Sequence, residues 1–382
     1  MNNLIQSHYH IDKFERLVGF AANNVKGGEY LYRLVRAAIT SDSQLFYKIM
    51  DSISDSLIVK LKIPLNVINR FLFVIHNDLA ADLYVNNFEL VAEMSAKRAI
   101  EKGEAVYLKD IGDISKLRFN DIKLSTDDCI IFCFRVGWKF GLFFDFGNSP
   151  KPGGHLDIGE LEKSLGSFYG YLQFQTVYDS MASNEVFKTL VSDGWFPFIG
   201  LIGGDYEKIV KIYENNLDIA VQIASFINRF EEKRIDNLVA KWWNKPLFND
   251  KRAIIEAGIE SYLKDTSHGY IQCIKTLYPE IEGIMRLKYF ADLGNDQKSS
   301  SHLIDHIEDL ITERIKSPTS LYFPKEFAEY LKKIIFPRFD LATGKIDLSR
   351  HTSSHGVARA DDYTKIKAFQ TIFILNQLYF YL

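Results

Sequence analysis

The sequence predicts a mixed α+β fold, because its apolar residues recur at helical spacing in some segments and alternate strictly in others. The chain has 382 residues, of which 47% are hydrophobic and 14% aromatic. This length and composition predict two domains with large, well-filled cores. The net charge of −3 provides no overall attraction to a polyanion. We therefore expect a soluble globular protein and not one that coats nucleic acid.

Residues 1–240 are predicted to form the first domain, in which helices flank a small antiparallel sheet. Residues 1–80 are expected to be helical, since stripes such as Phe14, Leu17, Val18 and Ala21 recur every three or four positions. Alternation in residues 83–147 predicts the sheet, with a terminal hairpin around Gly137. Helical spacing then returns in residues 157–230.

Residues 245–382 are predicted to form a second, all-helical domain after an aromatic and charged joint at 230–246. Four helices are expected before the last 35 residues, within 253–262, 271–285, 303–315 and 327–336. The second of them is expected to bend or restart at Pro279. The apolar C-terminal segment from 368 to 382 contains four polar residues and is predicted to be a buried helix, not a membrane span.

The cysteines and the N-terminus favour a cytoplasmic location. Cys129, Cys133 and Cys273 cannot supply a disulfide framework or a four-cysteine zinc site. The chain also starts without a basic region followed by an apolar one, which a secretory signal would have. We expect the three thiols to be buried as small side chains.

The segment from Ser349 to Gly356 concentrates chemistry, with Arg350, His351 and His355 in six consecutive positions. Histidine titrates near neutral pH and can act as base or acid. Arginine remains charged and presents a planar fork to phosphate oxygens. Around the segment, residues 332–382 contain eight Lys or Arg against four Asp. Together these side chains could cleave RNA through its own 2′-hydroxyl without a metal or other cofactor.

A short helix capped by Asp347 or Ser349 would place Arg350 and His351 in its first turn, where backbone amides attract phosphate. On a regular helix, His351 and His355 lie about 40° apart, whereas Arg350 and His355 lie about 140° apart. We therefore expect Arg350 to reach round the helix, or a cleft shared by two chains.

The C-terminal third resembles the HEPN superfamily of helical bundles. The resemblance covers roughly residues 245–382 and is carried by the segment from Tyr278 to Arg286, the Arg350-to-Gly356 segment and the acidic residues before the last helix. Many members are metal-independent endoribonucleases of defence or toxin–antitoxin systems, and many are dimers. The resemblance implies that Arg350 and His355 are catalytic, with His351 as the polar residue that follows the arginine. It also implies an RNA substrate, a homodimer formed through this domain and, in some systems, an antitoxin or regulatory protein.

A structural role for the same residues stays open at this point. Arg350 could pair with an acid such as Glu282, which lies among apolar residues and could alternatively orient His355 or pair with Arg286. Some proteins of the superfamily are non-catalytic docking or dimerisation modules, and this is the alternative function.

Other segments give weaker signals. The aromatic segment from Phe132 to Phe146, with Arg135 and Lys139, could stack bases but is better explained as a core hairpin. Lys151 to His155 lacks phosphate-loop spacing and is expected to be an ordinary loop. His76 and Asp78 are expected at a polar helix end and not in a metal site. The segment from Gly194 to Phe198 is expected to be a packed turn, with a recognition surface as the alternative.

Overall fold

The computed structural model describes residues 7–55, 68–147, 156–230, 232–295, 298–315, 320–342, 344 and 346–382. Its architecture is mixed α+β, as the sequence predicts. Two compact units divide the chain. The first unit comprises the described residues of Met1–Ser95 and Asp113–Gln175, and the second those of Ala96–Gly112, Thr176–Lys316 and Ser320–Leu382.

The described residues of the first unit form ten strands and two helices. The strands are β1 (His8–Ile11), β2 (Phe20–Ala21), β3 (Arg33–Leu34), β4 (Arg36–Thr40), β5 (Phe71–Ile75), β6 (Ala81–Val85), β7 (Leu90–Ala96), β8 (Ile111–Phe119), β9 (Cys129–Val136) and β10 (Lys139–Asp145). The helices are α1 (Gln44–Ile53) and α2 (Ile158–Gln173). Six strands form an antiparallel sheet in the order β1-β6-β5-β9-β10-β4, while β2 pairs with β3 and β7 pairs with β8.

The six-stranded sheet has a hydrophobic core on each face. Phe71, Phe73 and Ile75 of β5 belong to one core, and Leu72 and Val74 belong to the other. Alternate side chains of a strand point to opposite faces. Because both faces of the sheet carry a core, β5 is apolar at every position. The predicted hairpin is confirmed: β9 and β10 pair around Gly137, whose φ of +60° suits a tight turn.

The helical prediction for residues 1–80 is wrong. Strands β1 to β5 lie in this part of the chain, and α1 is its described α-helix. Phe14 and Leu17 pack on one sheet face from a segment without regular secondary structure, so their spacing reflects coverage of a sheet. Gly19 and Gly28 have φ of +133° and +90°, which a right-handed helix cannot contain. The sheet is consequently larger than the small one predicted.

The second unit is mainly helical. Its helices are α3 (Gln175–Ala182), α4 (Asn184–Ser192), α5 (Asp205–Asn215), α6 (Ile219–Asn228), α7 (Glu232–Val239), α8 (Pro246–Asn249), α9 (Arg252–Leu263), α10 (Ser267–Leu293), α11 (Ser300–Thr312), α12 (Pro324–Tyr330), α13 (Arg350–Ser354) and α14 (Lys365–Tyr381). A π-helical turn, Leu331–Ile335, follows α12. Helix α10 runs through Pro279 without restarting. No helix among the described residues is long and apolar enough to cross a membrane.

The division between the units differs from the predicted boundary at 240–245, since residues 176–230 and 232–240 belong with the C-terminal helices. The physical reason is aromatic packing around α14, which is buried along most of its length, as predicted. Trp195 and Phe230 contact the ring of Phe369, while Phe198 contacts that of Phe373. The segment from Gly194 to Phe198 is therefore a packed turn, and its aromatic side chains are core residues.

Candidate functional site

Helix α13 is held in place by a cap whose side chains are fully buried. Ser349 Oγ accepts from the Thr352 amide at 3.1 Å, and the Ser349 amide donates to Thr352 Oγ1 at 2.8 Å. Ser349 is therefore the cap, which was one of the two predicted possibilities. The helix ends before Gly356, whose φ is +72°. These two ends fix the backbone of the predicted site residues between them.

Arg350 lies against α10 and pairs with Glu282. Its Nε is 2.6 Å from Glu282 Oε2, although the N–H itself does not point at an acceptor. Glu282 Oε1 accepts from Arg286 Nη2 at 2.8 Å. One carboxylate thus lies between two guanidinium groups and is 13% exposed, against 26% for the Arg350 side chain. Within the described ranges, Arg350 contacts this carboxylate through Nε, and its two terminal nitrogens have no protein partner.

His351 and His355 lie one helical turn apart. The His355 amide donates to the His351 carbonyl at 2.9 Å, so the predicted relation between the two positions is present. His351 is half-buried with its ring 6.5 Å from that of Phe336, whereas His355 is exposed with its ring 5.7 Å from that of Phe339.

The pKa of His351 is lowered. Burial is the main cause, and the positive charge of Arg350 adds to it. The charges of His355 and Arg338 act in the same direction, while Glu282 opposes them. Because the ordinary value is 6.5, His351 is mostly neutral at pH 7 and can accept a proton.

Comparison with family models, with curated proteins and with solved structures finds no match for this chain. Any function must therefore be inferred from the residues themselves.

The structure brings Arg350, His351 and Glu282 together, and His355 follows at the end of the same helix. Glu282 pairs with both arginines that the sequence offered as partners. It is not hydrogen-bonded to His355 in the described structure, so the suggestion that it orients this ring is not supported. The arrangement provides a cation, a half-buried imidazole and an exposed imidazole on α13 and its C-terminal cap.

A second cluster of polar side chains lies in the first unit, at the end of the sheet where β6 begins. Asp82 accepts hydrogen bonds from His8 Nε2 at 2.7 Å, His10 Nδ1 at 2.8 Å and His76 Nε2 at 2.9 Å. His76 Nδ1 also lies 2.8 Å from an oxygen of Asp128. This cluster was not predicted from the sequence, although the alternation of His8 and His10 places both on one face of a strand.

The pKa values in this cluster favour charged groups. Burial acts against the charge on His76, but hydrogen bonds to Asp82 and Asp128 outweigh it and raise the His76 pKa. Burial likewise acts against ionisation of Asp82, yet the histidine hydrogen bonds lower its pKa to about 2. The cluster is thus a hydrogen-bonded network in which three imidazoles and two carboxylates contact one another. No group of three or more His, Cys, Asp or Glu side chains in the described part of the chain is placed to hold a metal ion.

The remaining predictions can be placed. Asp78 is not at a helix end as expected, because residues 76–80 form the turn between β5 and β6, where its side chain accepts from the Ala80 amide. The three cysteines are buried, as predicted, and burial raises the pKa of Cys133 to about 12. The segment from Phe132 to Phe146 is mostly core, with Trp138 as an exposed exception. The segment from Lys151 to His155 lies outside the described residues.

Proposed function

We propose that the second unit is a metal-independent endoribonuclease of a defence or toxin–antitoxin type, which cleaves RNA by attack of the 2′-hydroxyl on the adjacent phosphate. The observation that carries the proposal is the placement of Arg350, His351 and His355 on one short capped helix and its C-terminal cap, with the arginine paired with Glu282. The resemblance of this segment to the HEPN superfamily points to the same chemistry. The proposal requires no metal and no organic cofactor.

Arg350 is the phosphate clamp in this proposal. Glu282 holds Nε, so the outer edge of the guanidinium stays free to donate two parallel hydrogen bonds to phosphate oxygens. Negative charge builds on these oxygens during the reaction, and a fixed cation stabilises the charge without reorganising. Glu282 acts through Arg350 and is a positioning residue.

The two histidines divide the proton transfers. His355 is the main proton carrier, since its ring is exposed to a substrate. His351 shares this work as a base, because its lowered pKa leaves a neutral nitrogen at pH 7. One imidazole removes the 2′-hydroxyl proton and the other protonates the leaving 5′-oxygen, which gives a 2′,3′-cyclic phosphate.

A homodimer through the helical unit is part of the proposal. Leu287, Phe290 and Leu293 of α10 recur every three residues, and each is more than 40% exposed. A second copy of the chain could cover this apolar stripe. A dimer would also allow two sets of Arg350, His351 and His355 to act on one RNA.

The deciding experiment measures cleavage of a labelled RNA in EDTA by the wild-type chain and by Arg350→Ala, His355→Ala and His351→Ala. We expect a loss of roughly 10²- to 10³-fold for Arg350→Ala and of about 10²-fold or more for His355→Ala. The products should carry 2′,3′-cyclic phosphate ends.

Matched controls separate catalysis from general damage. Arg252→Ala removes an exposed arginine that is also paired with a glutamate, Glu256, at 2.7 Å. His268→Ala removes an exposed histidine from the start of α10. Both should cleave RNA at the wild-type rate. If both Arg350→Ala and His355→Ala still cleave RNA at the wild-type rate, the assignment of these residues as catalytic is wrong.

The alternative function is a non-catalytic dimerisation or protein-interaction module. The Glu282 pair favours it in one respect, since Arg350 already has a carboxylate partner. In that case the chain would bind a second copy or a regulatory protein through the stripe of Leu287, Phe290 and Leu293, and RNA would not be cleaved under any condition.

A further inference from the structure

A groove crosses the end of the six-stranded sheet where β5 begins and where β6 and β9 end. It has a volume of about 580 Å³, which lies within the range of about 300–1,000 Å³ typical of ligand sites. Phe134, Leu117 and Tyr169 supply aromatic and apolar walls, and Arg70 and Arg135 supply charge. No Asp or Glu is among its described lining residues. The groove belongs entirely to the first unit.

Arg70 is held rigidly at this groove. Its Nε donates to the Asn86 carbonyl at 2.9 Å, and Nη2 donates to the Phe88 carbonyl. The guanidinium lies 4.8 Å from the centre of the Phe88 ring. Carbonyls and a ring face position the cation but do not neutralise it, and no described carboxylate pairs with it.

Arg135 is a second cation without a described carboxylate partner. Its Nε donates to the Gly137 carbonyl at 2.6 Å, and its guanidinium lies 5.4 Å from the Trp138 ring centre and 5.8 Å from that of Phe140. Trp138 is 92% exposed at the tip of the hairpin between β9 and β10. The Trp138 ring therefore offers an open aromatic face beside a cation.

The chemistry of the groove selects an anion that carries flat rings. Two fixed guanidinium groups attract phosphate, and an exposed indole offers a stacking face that accepts any base. A cationic partner would be repelled, since no acid lies among the described lining residues to oppose the arginines.

We propose that the groove formed by Arg70, Arg135 and Tyr169, together with Trp138, binds single-stranded RNA. The inference deepens the proposed function and rests on it for the choice of RNA. The first unit thus captures the strand that the second unit cleaves. Bases stack on Trp138, and backbone phosphates contact Arg135 and Arg70.

The test measures binding of a fluorescein-labelled 12-nucleotide oligouridine by anisotropy, in EDTA, with the full chain carrying His355→Ala so that the RNA stays intact. Trp138→Ala should raise the Kd about tenfold, within the range expected when one base no longer stacks. Arg135→Ala should do the same and should also reduce the slope of log K against log salt by about 0.7, because one phosphate is then no longer neutralised. RNA should quench tryptophan emission in the parent but much less in Trp138→Ala.

Arg252→Ala is the matched control, because this guanidinium lies 5.2 Å from the Trp243 ring but is paired with Glu256. It should bind the oligouridine as the parent does. A Kd that is unchanged in both Trp138→Ala and Arg135→Ala would overturn the proposal. Tighter binding of oligothymidine, of duplex RNA or of a polyglutamate peptide would overturn the choice of single-stranded RNA.

Failure of the groove and failure of the nuclease are distinguishable. RNA cleavage that needs Arg350 but is indifferent to Trp138 and Arg135 refutes the groove alone. Oligouridine binding that needs Trp138 and Arg135, in a wild-type chain that never cleaves RNA, refutes the nuclease alone.

Discussion

Glu282→Gln is the change that most sharply tests how the arginine is used. It removes one negative charge from a carboxylate that lies between Arg350 and Arg286, and it keeps the shape of the side chain. If Glu282 positions Arg350, both the stability of the helical unit and the rate of RNA cleavage should change.

The stability effect can be bounded from exposure. Exposed ion pairs contribute about 0–1 kcal/mol, whereas breaking a fully buried pair costs about 3–5 kcal/mol. Glu282 is 13% exposed and Arg350 is 26% exposed, so the pair falls between these limits. We expect a coupling energy of about 1–2 kcal/mol between the two residues. Urea unfolding of the wild type, Glu282→Gln, Arg350→Met and the double variant gives this value directly.

The catalytic effect should be smaller than that of removing the arginine. Glu282→Gln leaves the cation in place but loosens it, so we expect a loss of about tenfold in the cleavage rate, against about 10²- to 10³-fold for Arg350→Ala. Because Glu282 acts through Arg350, adding Glu282→Gln to Arg350→Ala should cause no further loss.

Single-turnover cleavage of a labelled RNA by the wild type, the two single variants and their double variant measures this non-additivity. Full additivity of the two rate losses would refute the positioning role of Glu282. A coupling energy near zero in the unfolding cycle would refute the ion pair itself.

Four further predictions concern other parts of the structure. Asp82→Asn should lower the stability of the first unit by about 1–2 kcal/mol, most strongly between about pH 4 and 6.5. The contribution of the carboxylate is lost as the pH falls from 3.8 towards 2, and that of His76 is lost as the pH rises through its raised pKa. Hydrogen exchange in β1 and β6 measures the loss of stability, and a loss that is independent of pH would contradict the prediction. Ser349→Ala should cost about 1–2 kcal/mol and slow cleavage, whereas Ser349→Thr should restore most of both. Because the lowered pKa of His351 makes its protonation favour the unfolded chain, unfolding free energy should fall as the pH drops below 6.5, and His351→Gln should flatten that fall in urea titrations. Phe290→Glu should convert a dimer to a monomer in light scattering, and a dimer that persists excludes the α10 stripe as the interface.

Several helices of the second unit could be predicted because helix ends and apolar spacing depend on residues that are close in the sequence. Ser349 and Gly356 mark the two ends of α13, and the last helix was evident from its apolar run. The pairing of Glu282 with Arg350 was one of several possibilities, and no local pattern selects among partners 68 positions apart in the sequence.

The N-terminal region was misassigned for a physical reason. Phe14 and Leu17 have helical spacing, yet they cover a sheet face from a segment without regular secondary structure. Spacing alone cannot distinguish a helix from such a covering segment. The cluster on Asp82 was missed for a related reason. Its histidines come from β1 and from the end of β5, and the strand order that makes β6 their common neighbour is a property of the tertiary fold.

The edge of the guanidinium that Glu282 occupies bears on the choice between nuclease and docking module. A purely structural pair gains most when a carboxylate meets two guanidinium nitrogens in parallel, since that geometry satisfies both groups. Here the carboxylate is shared with Arg286 and meets Arg350 at Nε, so the outward nitrogens of Arg350 stay unpaired among the described residues. A cation that is anchored at its inner edge and open at its outer edge is suited to an exchangeable anion. The charge of Arg350 also helps to keep the neighbouring His351 neutral, which suits a base that accepts a proton. Both features favour the nuclease, and the Glu282 and Arg350 cycle tests them together.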